Sequence, residues 1–130
     1  MSEYKQERRR YKRVFFAGQD DLAAILKISD NHEGFLTVFV KDLSEVGLGF
    51  AVKRDQKDKI ITGSQLTLKK IRGSEQLGFI TDWKLEVLWV LDCDELEHVG
   101  FGCRFLDMPQ AVREKIRDHV KAWRNGGIRL

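Results

Sequence analysis

Five of the six residues from Arg8 to Arg13 are basic, and within that run Arg9 and Arg13 stand four positions apart. Guanidinium is planar, permanently charged and forked, which suits it to phosphate oxygens and purine edges. Some thirty residues later the segment Asp42-Leu43-Ser44-Glu45-Val46-Gly47 supplies the complement. Asp42 can accept from a donor-rich base edge or orient an arginine, Ser44 offers a small hydroxyl, and Gly47 permits a turn or a close approach. A carboxylate that accepts from the N1–H and N2–H₂ edge of guanine discriminates against adenine, which lacks that donor pair. Together the two segments describe a clamp for a guanine nucleotide. Plainer readings are a solvated basic tail and an ordinary Asp/Ser/Gly turn, and the second is compatible with a site built on a turn.

Other chemistries find less support. His32, His98 and His119 lack metal-ligand spacing, and Cys93 and Cys103 form no Cys-x-x-Cys pair, so neither a metal site nor a cofactor is expected. No nucleophile with a partnered base is discernible, which argues for a binding protein rather than an enzyme. The net charge of +3 is modest and concentrated near one end, while Asp92, Asp94, Glu95 and Glu97 form an acidic turn elsewhere. This distribution suits a small dianion better than a nucleic-acid polymer, whose contacts spread over a wider basic face. With 42% hydrophobic and 33% charged residues, no apolar run of membrane-span length and no apolar leader, the expectation is a cytoplasmic protein without membrane insertion. Both cysteines are then expected as thiols.

The 130 residues are enough for one domain with its own core. Residues 1–13 read as a flexible basic arm, because they hold too few apolar groups to offset the entropy of ordering. Residues 14–130 read as the folded body. Residues 22–28 are an apolar run of strand or short-helix type, and residues 35–40, rich in β-branched and aromatic types, follow the turn Asn31-His32-Glu33-Gly34. The Asp42–Gly47 segment falls where that strand ends and the next begins, so its polar groups are expected at a rim. Leu66 and Leu68 alternate with polar neighbours. Leu85, Val87, Trp89 and Leu91 recur every second residue, as do Val99, Phe101, Cys103 and Phe105. By that parity Trp89 faces the core. Val112, Ile116, Val120 and Trp123 form a helical stripe, giving a helix over about 109–125 that Pro109 opens and Asn125-Gly126-Gly127 ends. The body is therefore mostly β, a small barrel or sandwich with a C-terminal α-helix.

The pairing RxxxR (Arg9, Arg13) with DxSxxG (Asp42, Ser44, Gly47), followed by the strand 99–105 and a closing helix, resembles the PilZ domain, a bacterial receptor module for cyclic di-GMP, in its stand-alone form. The likeness covers most of the chain. It implies a small antiparallel six-stranded split barrel with a C-terminal α-helix, in which Arg9 and Arg13 grip guanine edges and phosphates, with Arg8 and Arg10 beside them. It also implies that Asp42 reads guanine while Ser44 and Gly47 line the pocket, and that an aromatic on a late strand, here Trp89, stacks on a base. The further implication is an arm that orders on the ligand and presents a surface to an effector protein, with motility, exopolysaccharide or biofilm as outputs. Alternatives are a PilZ-like protein–protein adaptor that binds no nucleotide, and a small RNA or single-stranded DNA barrel.

Overall fold

The computed structural model describes residues 13–16, 22–28, 34–92 and 96–124. Its strands are β1 (Arg13–Phe15), β2 (Ala23–Ile28), β3 (Phe35–Ser44), β4 (Gly47–Lys53), β5 (Gln65–Arg72), β6 (Trp83–Leu91) and β7 (His98–Leu106), and the helix α1 spans Gln110–Arg124. Every pairing is antiparallel. Six strands run in the order β3-β2-β5-β6-β7-β4, and β4 pairs back on β3 to close a barrel. The seventh, β1, adds to the other edge of β3. The expected six-stranded barrel with a C-terminal helix is thus present, with one extra strand. Arg13, read from sequence as the end of the arm, is the first residue of β1; Arg8, Arg9, Arg10, Cys93 and the Asn125-Gly126-Gly127 stop lie outside the described residues.

Alternation builds the core. Along β3, Leu36, Val38 and Val40 are buried while Phe35, Thr37 and Phe39 are exposed, the period of two that a half-buried strand requires. Leu66 and Leu68 on β5, Leu85 and Val87 on β6, and Phe50 and Phe101 on β4 and β7 fill the interior. The last two stack with ring centroids 5.4 Å apart. The stripe Ile116, Val120 and Trp123 of α1 is buried as its spacing requires. Trp123 meets Phe16 edge-on at 5.7 Å, which seats the C-terminal half of α1 beside β1.

Of three register irregularities, one at Lys69 on β5 turns Ile71 inward, and the other two shape the outer wall. The β3–β4 register shifts between Val40 and Asp42, and the β6–β7 register shifts between Val87 and Trp89. Each is a one-residue bulge, at Lys41 and at Leu88, and an extra residue moves every side chain beyond it to the opposite face. Parity with Leu85 and Val87 would bury Trp89; past the bulge it lies outside and is 46% exposed. The core placement read from its parity is corrected accordingly. In the same way, parity with Val38 and Val40 would turn Asp42 inward, and the Lys41 bulge places it opposite Gly49 on the outer wall. The Asp42–Gly47 segment also differs from the expected rim. It occupies the end of β3, a two-residue turn and the start of β4, and Asp42, Ser44 and Glu45 are all buried.

Candidate functional site

The registers align the outer wall into rows. One row runs Phe15 (β1), Asp42 (β3), Gly49 (β4), Gly102 (β7) and Trp89 (β6). Strands lie about 4.8 Å apart, so Asp42 and Trp89 stand about 14 Å apart along the wall with only glycines between them. Neither glycine can be replaced without displacing a neighbour. A Cβ on Gly49 would meet the Asp42 carboxylate, Oδ2 nearest, and one on Gly102 would meet the Trp89 indole. Asp42 therefore leans over Gly49 and Trp89 over Gly102, so the two glycines let the carboxylate and the flat ring lie down on the wall toward each other, about one strand spacing apart. The two bulges create this arrangement, since without them both end residues would point into the core. One step along the strands, Phe39, Ala51, Gly100 and Leu91 form a parallel row of small residues with apolar ends.

The row on the other side carries charge: Arg13, Ser44, Gly47, Arg104 and Glu86. Arg13 Nη1 donates to Asp42 Oδ1 at 2.9 Å. Its Nε is buried without a hydrogen-bond partner among the described residues. Arg104, across Gly47 from Arg13 and largely exposed, donates through Nε to Glu86 Oε1 at 2.6 Å. The carbonyl of Arg13 accepts from Arg124 Nη1 at 2.8 Å, so the last turn of α1 holds the strand that carries this arginine.

Ser44 and Gly47 shape the hairpin. Ser44 is wholly buried; its hydroxyl accepts from the Val46 amide at 3.3 Å and donates to the Gly47 carbonyl at 3.5 Å. A Cβ on Gly47 would strike the backbone carbonyl of Cys103, so only glycine lets β4 approach β7 here. Glu45 turns under the hairpin, with Oε2 3.6 Å from Arg113 Nη2 on α1. Cys103 is a buried thiol facing the core. Its pKa is pushed up to about 12, first by burial and second by the negative charge of Asp42, so it stays protonated at neutral pH.

Of the residues singled out from sequence, Arg13, Asp42, Ser44 and Gly47 come together around one hairpin, and Trp89 closes the same wall from β6. Gly49, Gly102, Arg104 and Arg124 were missed as participants. The signal for the first two was a glycine in a strand interior, at Gly47-x-Gly49 and Gly100-x-Gly102, which marks a close approach. No group of three His, Cys, Asp or Glu that could hold a metal occurs among the described residues, and among them no helix is long and apolar enough to cross a membrane.

The chain belongs to the PilZ domain family, whose model matches residues 7–122. Among solved structures it is similar to the PilZ domain with c-di-GMP of YcgR from Escherichia coli (16% identity, TM-score 0.64, covering 91% of this chain and 92% of that one). It is also similar to the Bacillus subtilis inhibitor of motility MotI/DgrA (13% identity, TM-score 0.65, 91% and 51%). A third likeness is to the K. pneumonia MrkH–c-di-GMP complex (16% identity, TM-score 0.63, 90% and 52%). The chain spans about half the length of the MotI/DgrA and MrkH chains. No curated protein matches it.

Proposed function

We propose that this protein is a receptor for cyclic di-GMP and that a guanine stacks on the outer face of the Trp89 indole with its edge toward Asp42. The observation that carries the reading is the row Asp42-Gly49-Gly102-Trp89, in which two glycines let a carboxylate and an indole lie side by side on the outer wall. The indole offers a stacking face, and a carboxylate has lone pairs enough to keep Arg13 while accepting from the N1–H and N2–H₂ edge. Arg13, with 26% of its side chain exposed beside Asp42, supplies a cation for a phosphate or a base edge, and Arg104 places a second one across Gly47. Ser44 and Gly47 act by fixing the hairpin. Family membership and likeness to proteins whose structures contain c-di-GMP support the choice of ligand.

Arg8, Arg9 and Arg10 precede β1, and their proposed role is to bring the arm over the bound ligand so that their guanidinium groups neutralise its two phosphates. The ligand-covered arm then forms a new surface for an effector protein, in a pathway of motility, exopolysaccharide or biofilm control. The protein acts as a receptor rather than a catalyst, in keeping with a Ser44 hydroxyl that is buried and engaged within its own turn.

Calorimetric titration with cyclic di-GMP, with cyclic di-AMP as comparator, tests this. The expected result is saturable binding of the guanine ligand alone, weakened at least about tenfold by Asp42→Ala. No heat with either ligand, or equal binding of both, overturns it.

A further inference from the structure

The second half of β6 has a partner on one side only. β5 pairs with β6 from Gln65↔Glu86 to Leu68↔Trp83. The connection before β5 adds two more bonds, Gly63 N–H to the Val87 carbonyl at 2.8 Å and Val87 N–H to the Ser64 carbonyl at 2.9 Å. Beyond Val87, β7 continues alongside through Leu91↔Gly100, and among the described residues no backbone bond forms on the other side. Because an antiparallel strand directs alternate N–H and C=O groups to either flank, this stretch presents an open ladder.

The same four residues are unusually apolar for an open edge. Leu88 is 49% exposed, Trp89 46%, Val90 39% and Leu91 61%, and Ile61 and Leu96 nearby are 67% and 56% exposed. Val90 and Ile61 also line a cavity of about 300 Å³ at the barrel mouth, floored by Val99 and Phe101. These six side chains expose apolar surface on the order of 500 Å², the upper range for a monomer's largest patch and a large part of the roughly 800 Å² per partner in a standard interface. Open edges in soluble proteins are normally guarded by charge, proline or cover. Residues 88–91 contain neither charge nor proline. The adjacent Asp92 is already neutralised by Arg54 at 2.8 Å and Lys57 at 3.0 Å.

We propose that residues 88–91 form a homodimer interface in which β6 of a second copy adds antiparallel to this edge about a two-fold axis. The edge suits itself. An antiparallel two-fold pairing is isologous, so the same segment supplies both strands. An uncharged segment meets no like-charge repulsion from its own copy. The pairing would satisfy the open backbone groups and cover Leu88–Leu91 from both copies, with Val90 and Ile61 closing over the barrel mouth. This surface shares Trp89 with the ligand reading but does not rest on it, and its test is made without nucleotide.

Sedimentation equilibrium of the full chain over a protein concentration series should show a monomer–dimer equilibrium. Leu88→Lys and Leu91→Lys together place like charges on facing strands and should raise the dimer dissociation constant at least about tenfold, with the circular dichroism spectrum and melting behaviour retained. Hydrogen exchange adds a readout that simple apolar contact would not move: amides in 88–91 should gain protection as protein concentration rises. A wild-type chain that stays monomeric at its highest soluble concentration overturns the proposal. So does a dimer that survives the double substitution, or one whose formation leaves exchange at 88–91 unchanged.

Discussion

Gly102→Ala separates the site from the scaffold that carries it. The new Cβ would occupy the place of the Trp89 indole, with Cε2, Cζ2 and Nε1 the atoms in the way. The obstruction is a surface side chain, so the ring is expected to swing off the wall and leave the strand in place. Trp89 is 46% exposed, so its contact with the wall covers on the order of 100 Å², and losing all of it costs about 2.5 kcal/mol. Replacing a strand glycine by alanine returns about 0.5–1 kcal/mol. The net destabilisation is at most about 2 kcal/mol, a fall in Tm of no more than roughly 10 °C for a chain of this size. The ligand should lose much more in relative terms: forfeiting one base stack is worth about 1–3 kcal/mol, or about 5- to 150-fold in affinity for cyclic di-GMP. Gly100→Ala is the control, because its Cβ would meet Leu91 at an ordinary 3.7 Å on the same strand and face. Calorimetry on the two variants and the wild type, with thermal melts alongside, gives both quantities. Unchanged affinity in Gly102→Ala, or an equal loss in Gly100→Ala, would refute a guanine stacked on Trp89.

Three further outcomes follow from the same geometry. Gly47→Ala drives a Cβ into the Cys103 carbonyl, where backbone rather than a side chain must yield, so it should destabilise by roughly 1–3 kcal/mol in urea unfolding; a neutral result would show that β4 and β7 can separate freely. Arg124→Ala removes the donor to the Arg13 carbonyl and should weaken ligand binding about 2- to 5-fold, the value of an exposed hydrogen bond of about 0.5–1 kcal/mol, whereas unaltered affinity would show that α1 does not position β1. The folded Cys103 holds its proton to about pH 12 while the unfolded thiol ionises earlier. Stability from this group is therefore intact below pH 9 and declines as pH rises from 9 toward 12. Cys103→Ala should show a shallower loss of urea midpoint over that range, and parallel curves would contradict the assignment.

The barrel and helix were legible because their signals are local. β7 alternates without interruption from Val99 to Phe105, and the stripe Ile116, Val120 and Trp123 marks the buried face of α1. The site was only half legible. Arg13, Asp42, Ser44 and Gly47 announce themselves by type and spacing, but the wall they share with Trp89 arises between strands. A bulge depends on how one strand registers against its partner, so nothing in Leu85-Glu86-Val87-Leu88-Trp89 reveals that Leu88 is the extra residue. Lys41 hides the same way before Asp42. The burial of Ser44 and Glu45 escaped notice for a related reason: it depends on the β3–β4 turn folding beneath the start of α1, where Arg113 meets Glu45. Arg124, which lies 111 residues beyond Arg13, offers no sequence signal for that contact.

The central claim is that a guanine stacks on the Trp89 indole, above Gly102, with its edge toward the Asp42 carboxylate above Gly49. The most direct measurement is a two-dimensional nuclear magnetic resonance titration with cyclic di-GMP that follows the Trp89 indole N–H and the amides of Gly49 and Gly102. The expected result is saturable shifts in all three, with the β2–β5 wall on the far side of the barrel unmoved. Shifts confined to β2 and β5, or none at saturating ligand, would contradict it.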